Sequence, residues 1–233
     1  DKPFIEPFSL IPAMGAVTSK LRFTTFVIKL PVRHPVLVAK QASSVAVLTH
    51  NRFGLGVGLS PWPDDFRIMG QAWAGRGRRM NEMIEILRGL CGGGYFSYEG
   101  EFYQLESVKL CPVPDRPIPI LIGGHSEAAL KRAARLGDGW MHAGGDTREL
   151  ERMLARLTEL RQEYGRENEP FEIHVISPDA YTLEGIAELE ELGVTDVIVG
   201  FRNAYARGPD TETLDDKLAA LRGYAERVIA HSR

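Results

Sequence analysis

The sequence predicts an α/β fold, a (β/α)8 barrel that opens in mid-pattern, on three observations. Short apolar runs alternate with amphipathic helical stretches along all 233 residues, the pattern that gives right-handed βαβ units and a mainly parallel sheet. Six such runs are each followed by a helix, while a leading helix lacks a strand of its own. The length falls slightly below the ~250 residues of a typical complete barrel. An open doubly wound sheet fits the same alternation, but the length and the start favour a barrel without its first two strands. No low-complexity linker interrupts residues 1–233, so a single domain is expected.

The elements follow in order. Ser9 to Ser19 reads as a helix, with Ser9 as N-cap and Pro12 tolerated in the first turn. Leu21–Leu30, "LRFTTFVIKL", reads as a strand, and "HPVLVAKQASSVAVLT" after it as a helix whose start is shaped by His34 before Pro35. "RFGLGVGL" is a second strand. Met80, Met83, Ile84 and Leu87 fall at helical spacing in the segment that follows. Two aromatic runs flanking Glu99-Gly100 predict a small hairpin. "PIPILIGG", "GWMHAGG", "FEIHVIS" and "DVIVGF" are then strands, alternating with helices from Ser126, Thr147, Leu183 and Leu214.

Composition narrows the function. A net charge of -3 carries no electrostatic footprint for nucleic acid or an acidic membrane surface. No apolar run approaches the ~20 residues of a membrane span, and "DKPFIEPFSL" lacks signal-peptide architecture. Cys91 and Cys111 lie in unrelated contexts, so neither a disulfide framework nor a zinc site is indicated, and a reduced cytoplasm is the expected compartment.

The chemistry concentrates where strands end. In "PILIGGHSEAALKRAARLGDGW" a strand leaves through Gly123 and Gly124, passes His125, and enters a helix at Ser126. Glycines let a ligand approach the backbone, Ser126 can cap the helix, and the helix's first N–H groups and dipole favour an anion such as phosphate. A tight βα turn explains one such junction equally well. A second copy, Gly144-Gly145 followed by Asp146 and Thr147, tilts the reading toward ligand binding. Gly56 and Gly58 leave one face of the second strand nearly bare; that face offers room for a flat ring or accommodates a bulky neighbour. The spacing is no dinucleotide fingerprint. His125 and His142 sit at strand ends where a ring could touch a ligand, His174 reads as a core or barrel-lining residue, and His50 and His231 as surface. No histidine pair has metal-ligand spacing with a nearby carboxylate, and no G-x-S-x-G elbow is present. Arg76, Arg78 and Arg79 read as a solvated helix face paired with Glu82 and Glu85, with contact to an anion as the lesser alternative.

Taken in order, "RFTTFVIKLPVRHPVLVAKQAS", "RFGLGVGLSPWPDDF", "GRRMNEMIEILRGL", "GEFYQLESVKLCPVP" and "PILIGGHSEAALKRAARLGDGWMHAGG" resemble the luciferase-like monooxygenase superfamily, most closely its members that use the deazaflavin coenzyme F420. The resemblance implies a TIM barrel whose first strand, first helix and second strand precede Asp1, together with the family's proposed catalytic histidine. It implies a non-prolyl cis peptide at Phe26–Val27 backing the cofactor ring, Gly58, Leu59 and Ser60 beside the ring or its ribityl chain, and a cofactor phosphate on Gly123, Gly124, His125 and Ser126, with Gly144 and Gly145 joining them. An acidic proton donor directly after the fourth strand does not carry over, because this chain reads "SPWP" there.

The function this implies is hydride transfer between F420 and a small organic substrate, with Phe26, Trp62 and Trp140 as pocket walls or core. FMN with oxygen chemistry is the alternative on the same fold. A non-catalytic cofactor-binding or inactive barrel is the third reading, because a barrel lacking two strands leaves edges unpaired. A homodimer is the expected assembly.

Overall fold

The computed structural model describes residues 4–201 and 207–231. Its centre is a seven-stranded parallel sheet in the order β1 (Phe23–Thr24), β3 (Phe53–Gly58), β6 (Ile120–Gly123), β7 (Gly139–His142), β8 (Glu172–Val175) and β9 (Asp196–Val197), with β2 (Ile28–Lys29) also paired to β3. Helices α2 (Pro35–Leu48), α4 (Arg76–Cys91), α5 (Glu127–Leu136), α6 (Thr147–Glu163) and α7 (Leu183–Glu191) fall between successive strands, as parallel connections require. The architecture is a partial (β/α)8 barrel. Among the described residues no further strand pairs with the outer edges of β1, β2 or β9.

One ion pair shows that the sheet is curled. Arg22, just before β1, reaches Glu172 at the start of β8 with 3.1 Å between Nη2 and Oε1. Those strands lie four places apart in the sheet order. In a flat sheet that is about 19 Å, from a spacing of ~4.8 Å per strand, beyond what an arginine and a glutamate can bridge. His174 extends the cluster, its Nε2 lying 2.9 Å from Glu172 Oε2 and 3.3 Å from Asp196 Oδ2. The fold thus gathers a histidine and two carboxylates that no sequence spacing announced. His174, expected in the core or lining the barrel, is buried.

The cluster has a pH signature. His174 first, and then Arg22, hold the Glu172 carboxyl below its ordinary range, against the opposing effect of burial. A depressed carboxyl stabilises the fold above its unfolded pKa, and that contribution is lost as pH falls through the folded value. Glu172→Gln is therefore expected to flatten the acid limb of the stability curve between about pH 5 and pH 3. Urea midpoints across that range would check it, and an unchanged slope would contradict it.

Several elements differ from the sequence expectation. The first helix, α1, runs Pro7–Ala16 and is capped by Glu6, whose Oε2 accepts the Ser9 N–H, so Ser9 is not the cap. Pro12 lies inside the helix, where the expectation had it in the first turn. The strand predicted over Leu21–Leu30 is broken into β1 and β2 by a bulge at Phe26–Val27, whose peptide bond is cis. Only Asp196–Val197 of "DVIVGF" pairs as strand. The hairpin is present, β4 (Tyr95–Glu99) against β5 (Gln104–Lys109). It takes the carboxylates that were expected to pair with arginines: Glu82 accepts the backbone N–H groups of Glu101, Phe102 and Tyr103, and Glu85 accepts the Tyr98 hydroxyl. Arg78 pairs instead with Glu101, Arg76 stacks on Trp73, and Arg79 is buried, donating to the carbonyls of Ala72 and Pro31.

Register separates the two faces of the sheet. Leu55, Val57, Ile120, Ile122 and Trp140 are buried in the main core, where Val38, Ala42, Met80, Ile84 and Leu87 pack from α2 and α4. Gly54, Gly56 and Gly58 alternate with Leu55 and Val57 and so point the other way, as do their neighbours Leu121, Gly123 and Met141. This glycine face is the barrel interior. Among the described residues, no helix is long and apolar enough to cross a membrane.

Candidate cofactor site

Of the two readings of the bare strand, room for a ring or accommodation of a bulky neighbour, the second holds, because residues 25–27 of the same chain fill the space. A Cβ on Gly56 would fall 1.8 Å from the Thr25 carbonyl oxygen and 2.6 Å from Met141 Sδ. A Cβ on Gly58 or Gly123 would meet the Val27 methyls at 2.8 and 3.0 Å. The glycines of β3 and β6 are where the 25–27 bulge folds inward, and Val27 closes the floor over both strand ends. Any planar ring must lie above Val27.

The mouth above that floor is lined from β2 and the β3 exit. Phe26 and Trp62 are 43% and 47% exposed, unusual for large aromatics that could be buried. Leu59 turns back and packs on the core. Ser60 is buried and committed, since its hydroxyl donates to Asp65 and accepts the Trp62 N–H. Asp65, in the short helix α3 (Pro63–Ile68), also accepts from Lys29 Nζ at 2.7 Å. That lysine and that aspartate carry no motif and were missed in the sequence. The register Lys29–Gly58 is what places the ammonium at the mouth.

The two glycine junctions lie side by side and are tied together. Trp140 Nε1 donates to the Gly124 carbonyl at 2.9 Å, and the Ala143 N–H donates to His125 Nε2 at 3.0 Å. Trp140 is thus a fully buried strut and not a pocket wall. The rings of His125 and His142 stack with centroids 4.5 Å apart. His142 Nδ1 accepts the Gly144 N–H, which leaves the ring proton on Nε2, a buried atom with no partner among the described residues. Gly145 lies against that atom, its Cβ position 3.6 Å from Nε2. Burial first, then His125, hold His142 below the ordinary histidine range, while the Ile176 carbonyl and Glu149 pull the other way.

The helix starts beyond these glycines differ in charge. Ser126 caps α5, accepting the Ala129 N–H. The N–H groups of Ser126, Glu127 and Ala128 have no hydrogen-bond partner among the described residues. Gly124 has φ +130°, a conformation that an L side chain rarely adopts, and a Cβ there would strike Ala129 at 2.9 Å. The first-turn carboxylate of Glu127 is drawn away by Arg156 and Lys131. At α6 the cap is itself a carboxylate, Asp146, with Glu149 one turn on, and neither forms an ion pair among the described residues. A neutral cap with free amides and a Cβ-free approach fits an anionic group, so the first junction suits a cofactor phosphate.

The structure therefore gathers Phe26, Val27, Gly58, Leu59, Ser60, Gly123, Gly124, His125, Ser126, Gly144 and Gly145 at the carboxyl ends of the parallel strands. A mostly apolar cavity of about 370 Å³ lies at the other end, lined by Ala42, Leu55, Leu87, Cys91 and Ile120 together with Arg88, Asp115 and Arg116. There burial pushes the Cys91 thiol up to about 11.

Comparison with known proteins identifies the family and agrees with the fold. The luciferase-like monooxygenase family model matches residues 1–226. An uncharacterised protein of Mycobacterium tuberculosis is 59% identical over 98% of this chain and 79% of its own length. The pyrimidine monooxygenase RutA of Allorhizobium ampelinum is 28% identical over 91% of this chain, which spans 56% of that protein. Among solved structures, the coenzyme F420 dependent tetrahydromethanopterin reductase from Methanopyrus kandleri superposes with a TM-score of 0.78. It has 17% identity, and the match covers 98% of this chain and 88% of the reductase.

Proposed function

This chain belongs to the luciferase-like monooxygenase family, and we propose that it is an F420-dependent oxidoreductase acting on a small organic substrate. The observation that carries the reading is the α5 junction: free amides at Ser126, Glu127 and Ala128, a neutral cap, and Gly124 held where only glycine sits comfortably. When bound, the deazaflavin supplies the hydride chemistry. The chain's own residues bind, orient and shield. The α5 amides take the phosphate, and Val27 backs the ring from below. Phe26 and Trp62 wall the mouth and exclude water, which strengthens every electrostatic contact inside. Asp146 and Glu149 keep the phosphate off the second junction, whose free donor, His142 Nε2, is left for an uncharged acceptor. The reductase likeness supports the fold, and the cofactor assignment is ours. We further propose a homodimer as the working assembly.

The RutA relative favours a second reading, a monooxygenase using FMN at the same phosphate site. Titration of the protein with F420 and with FMN, followed by tryptophan quenching, separates the two. Saturable F420 binding tighter than that of FMN is expected; tight FMN binding with no affinity for F420 would replace the first reading with the second.

A further inference from the structure

Among the described residues Lys29 is the cation framed at the mouth by a carboxylate and an indole, and neither the phosphate site nor the ring floor uses it. It ends β2 opposite Gly58, two residues beyond Val27, on the interior side of the sheet. Its Nζ donates to Asp65 at 2.7 Å and stands 4.5 Å from the centre of the Trp62 ring. Asp65 is fixed in turn by Ser60, and Ser60 by the Trp62 backbone. An ammonium has three donors, and only one is spent here. The Lys29 side chain is 39% exposed, so its remaining donors are open to solvent or to a ligand on that side of the sheet.

A surface lysine needs no such frame. Held this way, Nζ cannot swing aside without giving up the carboxylate and the indole face together. A ring resting on Val27 would lie beside it and displace water; Asp65 offsets part of the ammonium's charge, and what remains, with the unspent N–H donors, acts more strongly in a dried site than in solvent. We infer that Lys29 is the cationic contact for the cofactor ring in its anionic form, with Asp65, Ser60 and Trp62 as the frame that aims it. The inference rests on the ring site proposed above and holds for a deazaflavin or a reduced flavin, the rings that can become anionic near neutral pH.

The test is the acid–base titration of the bound ring, read by its absorbance, in the wild type and in Lys29→Met, Lys29→Gln and Lys29→Arg. Thermal melts first show which variants fold; the partly exposed position makes at least one neutral variant usable. Removing the charge is expected to raise the ring's titration midpoint by about one pH unit, a tenfold change in ionisation, and arginine is expected to restore it. A role confined to holding β2 against α3 would change the melts and leave the midpoint in place. An unmoved midpoint in a folded neutral variant overturns the inference. Should the wild type bind FMN and not F420, the F420 reading fails separately, and the same titration on reduced FMN decides the role of Lys29. Binding of neither cofactor overturns both.

Discussion

Gly56→Ala is expected to be the most damaging single-methyl change in the chain. The added Cβ would lie 1.8 Å from the Thr25 carbonyl oxygen, a backbone atom that cannot rotate away. Thr25 is also pinned to the same strand, its N–H donating to the Gly54 carbonyl and its hydroxyl to the Gly56 carbonyl at 2.8 Å. Relief therefore requires separating β1 from β3, with Met141 pressing from the other side. Overpacking typically costs ~1–3 kcal/mol and more when backbone must move, so we expect about 3 kcal/mol or above. For a chain of this size that is a fall in Tm of roughly 6–12 °C. Gly54→Ala is the control. Its Cβ meets the Thr24 hydroxyl at 3.2 Å and Leu121 Cδ1 and Thr24 Cγ2 at an ordinary 3.6 Å, all side-chain atoms that a small rotation accommodates, so less than ~1 kcal/mol is expected. If Gly56→Ala melted with Gly54→Ala, the inward bulge at residues 25–27 would not be held as described.

The same strand shows what a sequence can and cannot convey. Alternation of Gly56 and Gly58 with Leu55, Val57 and Leu59 marked one bare strand face, and that face is the barrel interior. What occupies the bared space was not legible, because the occupant comes from a neighbouring strand some thirty residues earlier, and nothing local encodes which strands pair. Arg22, Glu172, His174 and Asp196 make the same point, since only closure of the sheet brings position 22 to position 172. Junctions built from contiguous residues were readable. Gly123 to Ser126 form the turn, cap and helix start that their order predicts, since capping is a contact between residues three apart. Lys29 and Asp65 were invisible for the opposite reason: each is unremarkable alone, and only the register of β2 on β3 makes them a pair.

Ser126→Asp should part stability from binding at the α5 junction. Aspartate caps helices as well as serine does and adds a favourable interaction with the dipole, so the variant is expected to melt within a few degrees of the wild type or above it. Its charge would occupy the ground that the Ser126, Glu127 and Ala128 amides offer to an anion. A unit charge about 4 Å from a phosphate, at the effective dielectric of a protein surface, opposes binding by up to ~4 kcal/mol before screening. After screening by salt and water, a 10- to 100-fold weaker cofactor Kd is expected. Asp146→Asn at the neighbouring helix removes a repulsive charge and is expected to leave affinity unchanged or slightly improved. The discriminating result is therefore a clear loss of affinity in Ser126→Asp with none in Asp146→Asn, at two caps one strand apart. Equal affinity in wild type and Ser126→Asp would move the phosphate away from α5. A marked gain of affinity in Asp146→Asn, with none lost in Ser126→Asp, would put it at the second glycine pair, with His142 Nε2 as its donor.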